Sequence, residues 1–418
     1  MTTSPLLDHV APAADARAPA GRLRAVQVMA SGAGGGAQVH VQDLAAGLLE
    51  RGVDVEVISL SDGPAVRRLR SAGIAVQVVD TPDDTEALAR VVELLRSRPP
   101  HIVHNHMYRA EVIGTRAALA LAELTLPRPY VIGTVHSSRV RSGTDRELLR
   151  SLTPSMDRLI AVSKAIVAKL EAEGRSVVPI ELIYNGVDLE RYAYQEACCT
   201  LPEEYGFAEG TPLVGVVARL EPEKGHRTLL EAWPHVLAQV PKARLLIIGE
   251  GTVRATLEAQ AESLGLLGEP CAEDRCVGTR RARPGARVVF TGLRDDVPAV
   301  TAALDVAVLP SYREAQGLAI LEAMALRRPV VATAVGGVPE MVEHERTGLL
   351  VPPRDAPALA AAIGRLLTDH PLADTLARTG HDQALARFSL TAMVDAVARL
   401  YEDGAGLPAG RPGVSQAA

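Results

Sequence analysis

Short apolar runs alternate with amphipathic stretches over most of this chain. The first run, at residues 22–30, leads into a glycine-rich loop and then into apolar residues spaced i, i+3, i+4, i+7 and i+8 from Val41 onward, the spacing of one helix face. Further strand-length runs stand at residues 53–60, 74–80, 101–107, 130–137, 159–163 and 180–184. Buried runs that alternate with helices are typical of parallel sheets covered on both faces, so the pattern predicts a doubly wound α/β domain over residues 22–190.

The alternation stops at residues 191–212, where Pro, Glu and Gly accumulate, and then resumes. The second series predicts strands at residues 213–218, 243–249, 287–291, 304–310 and 329–333, and late helices at 355–369, 372–388 and 390–402. We therefore predict a second doubly wound domain over residues 213–375, joined to the first by a linker at 191–212. Ligands of such sheets bind beyond the carboxyl ends of the strands, so the cleft between the domains is where chemistry is expected.

Composition adds limits to this picture. With 418 residues the chain exceeds what one hydrophobic core serves, and its net charge of −6 offers no general attraction for nucleic acid, which we exclude as a partner. The sequence shows neither a signal-peptide core nor a membrane-spanning run, so we expect a cytoplasmic protein. We interpret residues 1–21 as a disordered leader, 403–418 as a flexible tail and 268–286 as an exposed loop. In that loop Cys271 and Cys276 lack the second pair of ligands that a zinc site needs.

Three glycines open the first predicted helix. Gly34, Gly35 and Gly36 follow a strand, so their backbone N–H groups and the helix dipole can face an anion. A tight turn that needs a positive φ is the alternative reason for them. The run is neither the Gly-x-Gly-x-x-Gly of a dinucleotide site nor a phosphate loop ending in Gly-Lys-Ser/Thr, which disfavours hydride transfer and ATP hydrolysis.

Four charged residues stand just after strands of the second series. Arg219 and Lys224 follow its first strand, and two cations at the carboxyl end of a strand suit a diphosphate. The alternative is a solvated loop in which they pair with neighbouring glutamates. Glu314 and Glu322 lie on either side of a loop-to-helix junction beside Gly317, a residue that lets a ligand approach the backbone. Taken singly, Glu314 also fits a charge that complements a helix dipole, and Glu322 fits a solvated charge on a helix.

Three histidines stand at strand ends of the first series. His104 and His106 alternate along one strand, so both imidazoles point to the same side, and His136 ends another strand. They suit hydrogen bonds to sugar hydroxyls, or packing inside the domain. No motif supplies the further ligands that a metal needs, and no Asp-x-Asp occurs, so we expect no metal. A bound diphosphate would then have its charge met by Arg, Lys and helix ends.

Assembled in order, these motifs resemble the family 4 retaining glycosyltransferases of the GT-B fold. The resemblance runs from residue 23 to residue 402. It is carried by the strings GGGAQVHVQDLAAGLLERG, IVHNHMYRA, IGTVHS, DRLIAVSKAI, IYNGVDLERY, ARLEPEKGH, LLIIGEG, FTGLRDDV, VLPSYREAQGLAILEAMA, GGVPEMV and TGLLVPP. The seven residues between Glu314 and Glu322 reproduce the spacing of that family's donor-site signature. The resemblance implies two Rossmann-like domains that face each other across a cleft, with the helices at 376–402 packing back toward the first domain.

The same resemblance implies that the second domain holds most of a nucleoside-diphosphate sugar, a UDP- or GDP-sugar. Arg219 and Lys224 would neutralise the diphosphate of this donor. The backbone of Gly317, Leu318 and Ala319, at the start of a helix, would assist them. No metal and no cofactor are needed in this arrangement.

Further contacts to the donor are implied from both domains. Glu322 would bind the ribose hydroxyls, and Glu314 would contact the transferred sugar. From the first domain, Gly35 and Gly36 would close over the diphosphate, and His136 would lie near the anomeric carbon. The implied catalytic residues are Glu314, His136, Lys224 and Arg219.

The implied reaction moves a hexosyl unit from the nucleotide sugar to an acceptor hydroxyl with retained configuration. Because no carboxylate in the motifs stands out as a nucleophile, attack on the front face of the sugar is favoured. Cell-envelope polysaccharide, glycolipid and glycosylated-metabolite synthesis all use such reactions. Two other classes stay open, an epimerase of the same fold and a catalytically silent GT-B binding protein.

The first domain is expected to bind the acceptor. The residues implied in that role are His104, Asn105, His106 and Arg139. Residues 137–150 carry four arginines and two acids, and this local charge of +2 suits an anionic acceptor, a membrane surface or plain solvent. The acceptor is thus a lipid-linked or polysaccharide sugar or a small molecule, and peripheral contact with the inner face of a membrane is left open.

Two stretches depart from the family pattern. Ala315 and Gln316 stand where the family usually has glycine followed by an aromatic or apolar residue, and residues 326–328 replace its usual Cys-Gly. The first change adjoins the sugar pocket, so the identity of the donor sugar stays open.

Overall fold

The computed structural model describes residues 22–139, 141–193, 201–269 and 282–406. They form two parallel β-sheets flanked by helices, as the apolar pattern predicts. The predicted leader, most of the predicted tail, and Cys271 with Cys276 lie outside the described residues. Among the helices of the described part, none has the length and apolar character needed to cross a membrane.

The first sheet has seven parallel strands. These are β1 (Arg24–Met29), β2 (Asp54–Ser59), β3 (Ala75–Val78), β4 (Ile102–His106), β5 (Tyr130–Val135), β6 (Arg158–Ala161) and β7 (Ile180–Leu182). The helices between them are α1 (Gly36–Glu50), α2 (Pro64–Ser71), α3 (Asp84–Ser97), α4 (Tyr108–Glu123), α5 (Gly143–Leu152) and α6 (Lys164–Ala172). The strand order β3-β2-β1-β4-β5-β6-β7 reverses direction beside β1, and ligands bind at such a switch point.

The second sheet repeats this plan with six parallel strands. They are β8 (Leu213–Val217), β9 (Arg244–Ile248), β10 (Val288–Gly292), β11 (Val306–Leu309), β12 (Val330–Thr333) and β13 (Leu349–Val351), in the order β10-β9-β8-β11-β12-β13. Two short helices precede it, α7 (Leu189–Ala193) and α8 (Leu201–Glu204). The others are α9 (His226–Gln239), α10 (Arg254–Ser263), α11 (Val297–Ala302), α12 (Leu318–Ala325), α13 (Val338–Met341), α14 (Ala356–Thr368), α15 (His370–Arg387) and α16 (Leu390–Gly404). The sequence pattern missed β13, which is only three residues long.

Local sequence explains why these elements form. All six side chains of β1 are buried, because helices cover both faces of the sheet, and four of the six are apolar. Asp83 caps the start of helix α3, since its carboxylate accepts hydrogen bonds from the N–H groups of Thr85 and Glu86, both at 2.8 Å. Similar side-chain caps begin α5, α6 and α14 to α16.

The chain crosses between the domains twice, and the two crossings lie side by side. Val187 donates its N–H to the Phe388 carbonyl at 2.8 Å and accepts from the Leu390 N–H at 2.9 Å. Helix α15 packs on α12 and α14 of the second domain, whereas α16 packs on α1 of the first. The return to the first domain therefore begins near residue 389 and not at 376, because α15 keeps its apolar contacts in the second domain.

Candidate functional site

The glycine loop after β1 lies directly against the second domain. A Cβ added to Gly36 would stand 3.3 Å from a Leu318 methyl group, and one added to Gly35 would stand 3.8 Å from Cδ of Arg219. Neither glycine has a left-handed φ, and nor does Gly34, so the tight-turn interpretation is wrong. Glycine is suited to this loop because the two domains approach each other closely here.

Lys224 and Glu314 form an ion pair at the carboxyl ends of β8 and β11. Lys224 Nζ lies 2.6 Å from Glu314 Oε1, and the Ser311 hydroxyl donates to the same oxygen at 2.8 Å. Glu314 is only 8 % exposed. Gly225, at φ +70°, brings the two loops together, since a Cβ there would stand 1.9 Å from the Pro310 carbonyl oxygen. The structure thus places a cation and a carboxylate side by side in the cleft.

Arg219 lies at the rim of the same cleft. Its guanidinium is half exposed and stands 3.5 Å from the Glu223 carboxylate, a loose contact that leaves most of its donors open. The alternative interpretation, a solvated loop in which Arg219 pairs with a neighbouring glutamate, therefore agrees with its contact to Glu223. Its position beside Gly35 also leaves it able to meet an anion held between the domains.

The start of α12 faces this cleft beside Glu314. Gly317 adopts φ +99°, a left-handed conformation that favours glycine, and no side chain caps the helix. The N–H groups of Leu318 and Ala319 in its first turn are therefore available to an anion. The sequence prediction brought Gly317, Leu318, Ala319, Glu314 and Lys224 to one place, and the structure does the same.

Glu322 lies one turn further along α12, in a small chamber between the domains. The chamber is lined by α1, by the crossing at residues 185–188 and by α7. Burial raises the pKa of Glu322 to about 7, although the Tyr192 hydroxyl donates a hydrogen bond to its carboxylate. Asp43, facing it from the first domain, has its pKa raised to about 6, again by burial. Sequence reasoning missed Asp43 and Tyr192, because neither carries a motif that points across the cleft.

Four imidazoles gather at the first-domain side of the cleft. His106 Nδ1 lies 3.1 Å from His136 Nε2, and the rings of His40 and His136 meet edge to face with centroids 4.6 Å apart. Burial lowers the pKa of His40 to about 4 and holds the pKa values of His104, His106 and His136 well below the usual value. The cluster is therefore neutral at pH 7 and suited to hydrogen bonding. Sequence reasoning missed His40, whose only signal is its place one turn after the glycine loop.

The same cluster is the group in the described part of the chain that best fits a metal. Ring nitrogens of His40, His106 and His136 lie within 4.8 Å of one another. Three neutral imidazoles are a common zinc ligand set. The expected absence of a metal thus stays a prediction that needs an experiment.

The residues expected to bind an acceptor lie at different depths. His104 is fully buried, with its ring between the Tyr401 hydroxyl at 2.8 Å and the Thr134 hydroxyl at 2.6 Å. Asn105 is fully buried on the opposite face of β4, where its amide donates to Thr115 at 3.3 Å. Neither side chain reaches the cleft. His104 is sealed beneath Tyr401, and Asn105 lies in the opposite core because alternate residues of a strand point to opposite faces. His106 is buried beneath His136, and Arg139 is exposed.

A second arginine of the same segment, Arg141, is held against an aromatic ring. Arg141 stacks its guanidinium over the Tyr108 ring, 4.4 Å from the centroid, at the start of α4. The Tyr108 hydroxyl donates to Asp145 at 2.7 Å, which fixes the ring under the guanidinium. Arg141 has no ion pair or hydrogen bond with any residue that the structure describes, and its nearest charges are the carboxylates of Glu111, Asp145 and Glu173.

Comparison with known proteins gives concordant matches on both halves. Residues 34–191 match Glycosyltransferase Family 4, and residues 211–369 match Glycosyl transferases group 1. An alpha-D-kanosaminyltransferase of Streptomyces kanamyceticus is 30 % identical over 292 residues, 66 % of this chain and 70 % of the relative. A D-inositol 3-phosphate glycosyltransferase of Corynebacterium jeikeium is 27 % identical over 413 residues, 93 % of this chain and 96 % of the relative.

A solved structure extends the comparison to three dimensions. Anabaena HepE, in complex with UDP and glucose, superimposes with a TM-score of 0.78 at 25 % identity, covering 91 % of this chain and 99 % of that one. Two facing Rossmann-like domains, with charged groups at the carboxyl ends of the strands, define an enzyme of GT-B architecture. The chain belongs to the family 4 glycosyltransferases. The resemblance, the fold class and the transferase activity expected from the sequence are therefore confirmed.

Proposed function

We propose that this glycosyltransferase moves a hexosyl unit from a nucleoside-diphosphate sugar to an acceptor hydroxyl with retention of configuration. The observation that carries the proposal is the Lys224–Glu314 pair beside the uncapped start of α12. A diphosphate between these groups would be met by Lys224, Arg219 and the helix N–H groups, and Glu314 would face the sugar. UDP is the first candidate for the nucleotide of the donor, because HepE was solved with UDP and with UDP-glucose.

The hard step is departure of the diphosphate, and the residues present suit it. The bond from the anomeric carbon to the phosphate oxygen breaks, while the acceptor oxygen forms a new bond on the same face and gives its proton to the departing phosphate. Lys224, Arg219 and the α12 dipole stabilise the negative charge that develops on the leaving group. The glycine loop at Gly35 and Gly36 lies where it would exclude water from the separated charges.

Nucleotide binding gives the most direct test of this proposal. UDP, GDP, ADP and dTDP are each added to wild type and to Lys224→Ala, and thermal unfolding is followed. A nucleotide at about 100 times its Kd adds about 2.7 kcal/mol to the free energy of unfolding. We expect UDP or GDP to stabilise wild type strongly and the variant weakly. Absence of stabilisation by all four would contradict the donor site, and product analysis with the matching sugar nucleotide separates transfer from epimerisation.

Removal of divalent metal is expected to leave the activity intact. Lys224, Arg219 and α12 supply the positive charge that a metal would otherwise bring to the diphosphate. We expect dialysis against EDTA to change kcat by less than about twofold, in an assay without added metal. A larger loss, restored by Zn²⁺ and absent in His40→Ala, would show that the histidine cluster holds a metal that the reaction uses.

We also propose that the acceptor is anionic and meets Arg141. A charge-assisted hydrogen bond is worth about 1.5–3 kcal/mol, so Arg141→Ala should raise KM for such an acceptor about tenfold or more. Inositol 3-phosphate and L-malate are suitable probes, since relatives are named for them, and inositol is the uncharged comparison. The exposed Arg146 of α5 provides the control variant, Arg146→Ala. Equal KM values for Arg141→Ala and wild type would contradict this placement.

Cytoplasmic localisation and peripheral membrane contact remain predictions from the sequence. The arginine segment would serve a lipid-linked anionic acceptor as well as a free one. Co-sedimentation with vesicles that contain acidic lipid, compared with neutral vesicles, tests whether the protein makes peripheral contact with a membrane.

A further inference from the structure

Three consecutive residues of the second domain face three different parts of the molecule. Glu314 faces Lys224 in the cleft. Ala315 is buried in an apolar cluster whose other buried members all belong to the first domain. Gln316, 2 % exposed, turns toward the first crossing between the domains. Ala315 and Gln316 form one of the two stretches at which the chain departs from the family pattern, and this departure coincides with contacts to the first domain and to the crossing.

Gln316 holds the backbone of Asn185 with both ends of its amide. Its Oε1 accepts from the Asn185 N–H at 2.7 Å, and its Nε2 donates to the Asn185 carbonyl at 3.1 Å. Both residues are buried, so loss of the side-chain amide would leave two backbone groups without partners. An aromatic or apolar residue in this position cannot form this pair of bonds.

Asn185 lies next to the point where the two crossings touch. A Cβ on the following residue, Gly186, would stand 2.5 Å from the Ser389 carbonyl oxygen, and Val187 then pairs with the second crossing. Any rotation of the domains must act through this contact, because both connections pass here. We call this contact between residues 185–187 and 388–390 the hinge. Gln316 therefore links the loop that carries Glu314 to the hinge.

We propose that Gln316 is a positioning residue that couples closure of the domains to the placement of Glu314. In the closed state, its two bonds to Asn185 hold the 311–317 loop so that the Glu314 carboxylate stands in the cleft beside Lys224. Gln316 does not touch the donor in this role, and its effect falls on turnover more than on donor affinity. The kinetic test of this proposal rests on the proposed function. A second test, by X-ray scattering, rests on the hinge geometry alone.

Gln316→Met tests this coupling, because methionine has a similar length and makes neither bond. We expect kcat to fall about tenfold, with donor KM within about threefold of wild type, since small misplacement of a reacting group lowers rate more than binding. Gln383→Met is the control, because Gln383 donates a bond to the Met341 carbonyl at 2.9 Å and so loses a contact that lies within the second domain. Melting temperatures of all variants are recorded, so that a folding defect is seen as such.

Gln316→Glu adds a readout that depends on pH. The charged form keeps the bond from the Asn185 N–H but turns a second oxygen toward the Asn185 carbonyl, whereas the protonated form restores a donor. Burial raises the pKa of such a carboxyl, so activity relative to wild type should rise as the pH falls. A Gln316→Met kcat within about twofold of wild type, or equal to that of Gln383→Met, would overturn the proposal.

Small-angle X-ray scattering tests the coupling of Gln316 to domain closure even if no sugar transfer is detected. We expect saturating UDP to reduce the radius of gyration of wild type and of Gln383→Met, and to reduce that of Gln316→Met clearly less. Transfer by wild type in the kinetic assay tests the proposed function separately. Equal compaction of all three proteins with UDP, or no compaction of wild type, would overturn the coupling while leaving the proposed function standing.

Discussion

Lys224→Ala should lower kcat about 100-fold, because one preorganised positive group at a developing negative charge is worth a factor of this size. Two effects combine in this variant. The leaving diphosphate loses its nearest cation, and the buried Glu314 loses the ammonium that lies 2.6 Å from it. Glu314→Gln keeps the shape of that side chain and removes its charge, and we expect a loss of similar size.

A lysine elsewhere in the second domain provides the control. Lys242 is exposed and directly precedes β9, so it lies at the amino ends of the strands, opposite the cleft. Lys242→Ala should therefore keep wild-type kcat and KM. Initial rates at saturating donor, with melting temperatures alongside, make the comparison. Near-wild-type turnover of Lys224→Ala would remove the basis of the proposed mechanism.

Glu322→Gln should weaken nucleotide binding and at the same time stabilise the free protein. A carboxylate that binds hydroxyls contributes about 1.5–3 kcal/mol, so the Kd for the nucleotide should rise about tenfold to 100-fold. Burial raises the pKa of Glu322 to about 7 in the folded protein, above its unfolded value. Folding therefore favours the protonated form, and Glu322 destabilises the fold increasingly as the pH rises from about 4.5 to about 7, above which this cost stays constant.

The stability effect has a definite pH dependence. At pH 8 the free variant should melt above wild type, and this difference should shrink toward pH 5, where Glu322 is protonated and resembles glutamine. Glu258→Gln provides the control, since Glu258 lies on the surface of α10 in an ion pair with Arg254. A variant that loses stability at pH 8, or binds nucleotide as wild type does, would contradict the assignment of Glu322 to the ribose.

The sequence predicted the layers of this protein better than the contacts between them. Apolar runs reveal strands because burial on both faces is a local property, and the carboxyl ends of parallel strands must share an edge, which is why Lys224 and Glu314 were expected together. The sequence predicted Glu322 as a site residue, but it did not predict the chamber that surrounds it. Asp43 and Tyr192 enter it only through the relative orientation of two domains, which no local pattern encodes.

The histidines show the same limit on a smaller scale. Alternation along β4 correctly placed His104 and His106 on one face. It could not tell that His104 would be sealed beneath Tyr401 from the last helix, almost 300 residues later, or that His40 would complete the cluster. Asn105 points into the opposite core for the reason that the alternation itself gives. The roles of the remaining site residues stay predictions that the variants above examine.

Helix α16 has a consequence for how the protein can be made. Its apolar face, with Met393, Val394, Val397 and Tyr401, fills a groove on the first domain against α1. During synthesis the first domain therefore leaves the ribosome with this groove open, and it is completed only after the whole second domain has followed. A gene fragment that ends after residue 190 would encode a domain with an exposed apolar surface, and separate production of the two halves should require α16 to be supplied with the first.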